Sequence, residues 1–115
     1  MKSDLPYLGH IADAIAAIET YTAAGRDAFM AQKLLQDAVI RNFEIIGEAA
    51  GRLSPALQHR AGVPWGRVIA FRNRLIHAYW GVDLALVWDV IENALPSLKA
   101  EVARLRGELS GSQSP

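Results

Sequence analysis

Apolar residues recur at intervals of three and four along almost the whole chain, a spacing that predicts helices packed side by side. Leu8, Ile11, Ile15 and Ile18 form the first such stripe. Ser3 or Asp4 is placed to cap its start, Pro6 stands in its opening turn, and Gly25 stops it. A second helix is expected from near Asp27 to about Leu53, with Leu35, Val39, Asn42, Ile46, Ala49 and Leu53 along one face. Ser54-Pro55 reads as a cap and first residue of a short helix that Gly62 ends, and Pro64 opens another that reaches Trp80 before Gly81. Asp83 caps the last helix, whose Leu84, Trp88, Ile91, Leu95, Leu98, Val102, Leu105 and Leu109 form the seam of a bundle. Pro96 lies inside that stripe and should bend it, because its missing N–H removes one bond of the ladder.

The expected architecture is therefore all-α: an up-and-down helical bundle of four main helices plus a short one, spanning residues 1–109. Residues 110–115 are polar and are expected to form a disordered tail. Composition agrees, with 19 alanines in 115 residues and few alternating β-formers.

Charge changes the picture only when resolved along the chain. Twelve basic and twelve acidic side chains cancel, which argues against a polyanion-coating protein or a polybasic membrane anchor. Yet residues 1–40 carry a net −2, residues 41–80 a net +4 and residues 81–115 a net −2. Between Glu48 and Asp83 there is no carboxylate, while Arg52, His59, Arg60, Arg67, Arg72, Arg74 and His77 all fall there. A neutral chain has a basic middle.

Several chemistries are absent from the pattern. Without cysteine there is no disulfide framework, thiolate zinc site or thiol nucleophile. The N-terminus lacks the apolar core of a signal peptide, and no apolar run approaches the roughly 20 residues of a membrane span. These features predict a cytoplasmic protein with no membrane partner. No metal-ligand spacing or phosphate loop is seen, and no cofactor is implied. Gly47 and Gly51 read as close-packing positions between helices, and His10 and His59 stand alone.

The stretch Arg72-Asn73-Arg74-Leu75-Ile76-His77-Ala78-Tyr79-Trp80 is the candidate site. Arginine grips phosphate with a planar fork, and histidine moves a proton near neutral pH. Together they supply what phosphodiester cleavage requires: a base for the attacking hydroxyl, an acid for the leaving oxygen and a cation for the phosphoryl charge. At about 100° per residue, Asn73 and His77 share a face with Arg74 near it, whereas Arg72 and Tyr79 lie roughly 140° away. Three arrangements would reunite Arg72 with His77. The arginine bends around the helix, the helix distorts, or a two-fold dimer joins groups from two chains. On spacing alone, Arg72 could equally pair with Glu44 or Glu48 while the aromatics and His77 serve only packing.

The segment from Arg72 through His77 to Tyr79 resembles the signature of HEPN domains (higher eukaryote and prokaryote nucleotide-binding) of the HepT-like toxin branch. Arg41-Asn42-Phe43-Glu44-Ile45-Ile46-Gly47-Glu48-Ala49, Pro64-Trp65, Gly81-Val82-Asp83 and Val87-Trp88 fit the same pattern, so the likeness spans about residues 5–100. The resemblance implies a homodimeric, metal-independent RNase toxin of a type VII toxin–antitoxin pair, with Arg and His of both protomers lining a cleft at the interface. Its partner would be a minimal nucleotidyltransferase antitoxin that attaches AMP to Tyr79. Arg72 would hold the scissile phosphate of the RNA substrate and His77 would be the acid or base. Asn73 and Arg74 would support them, and Glu48 or Glu44 would orient Arg72 or Arg74. The competing expectation is a catalytically silent helical module that binds the nucleotidyltransferase or its nucleotide.

Overall fold

The structure is a computed structural model and describes residues 2–60, 62–78 and 81–111. Helix-forming composition is realised as seven α-helices among these residues, with no strand. A 3₁₀ turn at Lys2–Asp4 leads into α1 (Leu5–Tyr21), α2 (Arg26–Ala31), α3 (Lys33–Gly51), α4 (Pro55–Gln58), α5 (Trp65–His77), α6 (Leu84–Asn93) and α7 (Leu95–Gly111). The long helices lie in the order α5, α3, α1, α7, each packed on the next, with α2 against α3 and α6 against α7. The result is elongated, 50 × 27 × 19 Å, and leaves α5 at one edge.

The predicted stripes are the core. Leu8, Ile11, Ile15 and Ile18 of α1 are all buried, facing Val39, Ile46 and Ala49 of α3 and Val102, Leu105 and Leu109 of α7. Leu35 and Asn42 of the second stripe, and Leu84, Trp88, Ile91 and Leu98 of the last, are only half-buried; in α6 the buried residue is Val87, outside the predicted stripe.

α1 ends at Tyr21, short of Gly25, and α4 at Gln58, short of Gly62; four further boundaries differ from the sequence reading, each for a local reason. The helix expected over Asp27–Leu53 is broken at Gln32, which is extended (φ −120°, ψ 110°). The Gln36 side-chain amide donates to the carbonyls of Phe29 (3.0 Å) and Met30 (3.1 Å), satisfying acceptors that the break frees. The final helix is likewise two, joined at Ala94. Pro96 thus falls in the first turn of α7, where its missing N–H needs no partner, and no long helix has to bend. α7 runs through Gly111, so Ser110 and Gly111 are helical, while 112–115 lie outside the described residues. Finally, α5 ends at His77, three residues short of Trp80, with Ala78 as its C-cap.

The capping signals divide. Ser54 and Asp83 cap as expected, accepting from Leu57 N–H (3.3 Å) and Leu86 N–H (3.1 Å). Asp4 does not cap α1. Its buried carboxylate accepts from the backbone N–H and the hydroxyl of Ser54, both at 2.7 Å, tying the chain start to the α3–α4 corner. Gln58 then reaches back to the carbonyls of Ala50 (3.1 Å) and Leu53 (2.9 Å), closing the end of α3.

Candidate functional site

Helix α5 forms because Pro64 fixes the chain at its N-cap and Trp65, Leu75 and the half-buried Val68 and Phe71 supply one apolar face. Trp65 is 2% exposed, and Phe71 meets Phe43 of α3 edge-on, ring centres 5.2 Å apart. The opposite face is open, which is where the chemistry lies.

Arg72 sits on the packed side, directly over Gly47 of α3. A Cβ at position 47 would come within 2.0 Å of the Arg72 Cβ and 2.5 Å of its Cγ. Only glycine permits this approach, so the close-packing reading of Gly47 holds. A Cβ on Gly51 would meet open space, and the same reading of Gly51 does not hold. From that buried stem the guanidinium turns outward, and Nη1 donates to Asn73 Oδ1 at 3.0 Å. Asn73 and His77 are four residues apart and both exposed; among the described residues Arg72 contacts Asn73 and no contact joins it to His77. The Nε of Arg72 is buried without a hydrogen-bond partner.

Neither glutamate of α3 reaches these groups. Glu44 pairs with Arg41 at 3.7 Å and Glu48 with Arg52 at 3.6 Å, along their own helix. Glu48 instead borders a shallow depression of about 340 Å³ with Tyr7, His10, Ala49 and Arg52. The expected orienting role of Glu48 is therefore not realised within the protomer. The side chain that orients Arg72 is Asn73, its neighbour in sequence. His10, isolated in the sequence, has Tyr7 edge-on at 6.0 Å; His59 is exposed.

The basic middle also narrows. Arg41, Arg52 and Arg60 are paired with Glu44, Glu48 and Glu108, whereas Arg67, Arg72 and Arg74 form no ion pair among the described residues. The last turn of α5 carries Arg74 and His77, and the Arg74 guanidinium suits the negative end of the helix dipole. Tyr79 and Trp80 lie outside the described residues. The facing argument that set Tyr79 over Arg72 required helix through Trp80, and the helix stops at His77.

Arg72, Asn73 and His77 thus lie along the last turns of one helix, Arg72 bonded to Asn73 and His77 exposed at the helix end. A family model described as Ribonuclease HepT-like matches residues 11–105. The chain belongs to the HepT-like ribonuclease family. A "Probable ribonuclease HepT" of Thermococcus cleftensis is 38% identical over 107 residues, covering 91% of this chain and 97% of that one. A candidate RNase of Caldanaerobacter subterraneus is 33% identical over 107 residues, covering 91% and 96%. A protein of Methanocaldococcus jannaschii named for a gamma-glutamylcyclotransferase and a candidate RNase is 42% identical over 112 residues; the chain spans 50% of that longer relative. No solved structure matches the HepT-like chain. Among the described residues no three His, Cys, Asp or Glu side chains converge as metal ligands, and no helix is long and apolar enough to cross a membrane.

Proposed function

We propose that this HepT-like protein is a metal-independent endoribonuclease, the toxin of a type VII pair, acting as a homodimer and silenced by AMP transfer to Tyr79. The observation that carries the reading is the Arg72 guanidinium. It is anchored by a buried stem over Gly47, hydrogen-bonded to Asn73, and left without a carboxylate partner among the described residues. An arginine held for structure alone would be expected to end in an ion pair; this one is held ready for an anion.

The chemistry follows from the substrate. The RNA 2′-hydroxyl attacks the adjacent phosphorus while its proton passes to a base. The bond from phosphorus to the 5′ oxygen breaks as an acid protonates that oxygen, leaving a 2′,3′-cyclic phosphate and a 5′-hydroxyl. Arg72 stabilises charge on the phosphoryl oxygens. His77 takes one proton-transfer role and the partner subunit's His77 the other, which is why the reading calls for two copies. AMP on Tyr79 would add bulk and negative charge close to the phosphate site in sequence and compete with RNA there.

Growth of cells expressing the protein tests the whole proposal. Wild type arrests growth, Arg72→Ala and His77→Ala do not, and co-expression of a minimal nucleotidyltransferase relieves the wild type but not Tyr79→Phe. Undiminished toxicity of both alanine variants overturns the catalytic assignment. Relief of Tyr79→Phe by the nucleotidyltransferase overturns the modification site.

A further inference from the structure

The exposed face of α5 holds more cationic surface than cleavage of one phosphodiester uses. Gly66, Arg67, Ala70, Asn73, Arg74 and His77 are all exposed and fall within about 120° of the helix circumference. Arg67 and Arg74 lie about 10 Å apart along the axis, and His77 about 5 Å further on. Between the two arginines the face carries only Ala70 and Asn73, and a Cβ on Gly66 would meet open space.

Three observations set this stripe apart from an ordinary solvated face. Six cations are neutralised: Lys33, Arg41, Arg52, Arg60, Lys99 and Arg104 each pair with a carboxylate, while Arg26 and Arg106 stand singly unpaired among the described residues. Arg67 and Arg74 pair with none among the described residues, and the nearest carboxylates in sequence are Glu48 and Asp83. Moreover, Arg67 stands in the first turn of α5, which contains no acidic residue. The helix dipole disfavours a cation there. Arg67 therefore works against its own helix, unlike Arg74 at the other end.

We infer that the open face of α5 is a phosphate track for single-stranded RNA, with Arg67 and Arg74 gripping backbone phosphates beyond the scissile one. The track rests on the ribonuclease reading for its substrate, and on the charge pattern of α5 for its position. Its contacts are to phosphate rather than to base edges, so it sets affinity and register without choosing sequence. It also accounts for a neutral protein taking an RNA partner, since α5 gathers several unpaired arginines and no carboxylate, whereas the other unpaired arginines among the described residues, Arg26 and Arg106, stand singly on α2 and α7.

The test measures binding of an unstructured RNA oligonucleotide to the His77→Ala protein, so that cleavage does not intervene, across a range of salt concentrations. Each phosphate contact contributes about 0.7 to the slope of log affinity against log salt for a single strand. Arg67→Gln should lower that slope by about 0.7, with an equal loss of affinity for oligonucleotides of different sequence, and Arg67→Lys should restore most of it. Arg106→Gln on α7 removes the same charge elsewhere and should leave the slope unchanged. In the His77-intact protein, Arg67→Gln should raise KM far more than it lowers kcat. An unaltered slope in Arg67→Gln, or an equal fall in Arg106→Gln, overturns the track while leaving the ribonuclease reading intact. Absence of RNA cleavage by wild type, with the slope effects present, would instead remove the ribonuclease reading and keep the track.

Discussion

Replacing Gly47 by alanine probes the contact on which the position of Arg72 depends. In an unhindered helix interior this change gains about 0.5–1 kcal/mol, because glycine gives up the most backbone freedom on folding. At Gly47 the added carbon would lie 2.0 Å from the Arg72 Cβ and 2.5 Å from its Cγ. The nearest atom is fixed to the α5 backbone, so rotation of a flexible side chain cannot relieve the overlap; α3 and α5 have to move apart. Overpacking of this kind costs about 1–3 kcal/mol. The net effect is a loss of about 1–2 kcal/mol, a fall in Tm of roughly 4–10 °C for a domain of this size. Displacing Arg72 by as little as 1 Å also costs up to about 100-fold in rate, so RNA cleavage well below either melting point should fall by tenfold or more. Thermal unfolding followed by circular dichroism, paired with a cleavage assay, measures both. Gly51→Ala, where a Cβ meets nothing, is the control and should melt at or slightly above wild type. Because the closest approach is to Cβ, Gly47→Ala should remain destabilising in an Arg72→Ala background. A Gly47→Ala protein as stable and active as wild type would refute the close approach and the anchoring argument built on it.

Other residues give independent checks. Glu48→Gln should leave RNA cleavage within about twofold of wild type and stability within about 0.5 kcal/mol, since Glu48 makes only an exposed pair with Arg52; a tenfold loss of activity would restore it as an orienting residue. Ser54→Ala removes the hydroxyl that donates to buried Asp4 and caps α4, and chemical denaturation should show a loss of about 2–3 kcal/mol. In the surface network joining Arg60, Glu108, Arg104 and Glu101, hydrogen bonding from Arg60 and Arg104 holds both glutamates below the ordinary carboxylate range. A depressed folded-state pKa contributes stability that is fully present above the unfolded value of about 4.3 and is lost as pH falls through the lower folded-state value. Glu108→Gln should therefore lower Tm at pH 7 in low salt, and the deficit should shrink as pH falls below the unfolded carboxylate value; a deficit unchanged by acidification through the folded-state pKa would contradict the charge origin.

The helical stripes were legible in the sequence because burial on one face of a helix leaves a spacing of three and four that nothing else here imitates. Ser54 and Asp83 were legible as caps for the same reason, since capping is a local bargain between a side chain and the next turn. Asp4 was not, because its partner lies 50 residues away at Ser54. The breaks at Gln32 and Ala94 left the apolar period intact, so periodicity alone joined α2 to α3 and α6 to α7. In the site, helical angles identified the problem of Arg72 facing away from His77. The Asn73 contact that turns the guanidinium was outside what angles show, because it depends on a side-chain rotamer. Glu44 and Glu48 looked available to Arg72 only while their helix's own arginines were ignored. Three-dimensional pairing also recast the basic middle, removing Arg41, Arg52 and Arg60 from it and leaving α5 as the uncompensated helix.

The most direct test of the central claim is cleavage of a 5′-labelled RNA by the purified protein in excess EDTA, with analysis of the product ends. The account predicts fragments ending in 2′,3′-cyclic phosphate from wild type and loss of cleavage by at least 100-fold in Arg72→Ala and in His77→Ala, both still folded. Intact RNA with wild type, or cleavage that survives both substitutions, would contradict it.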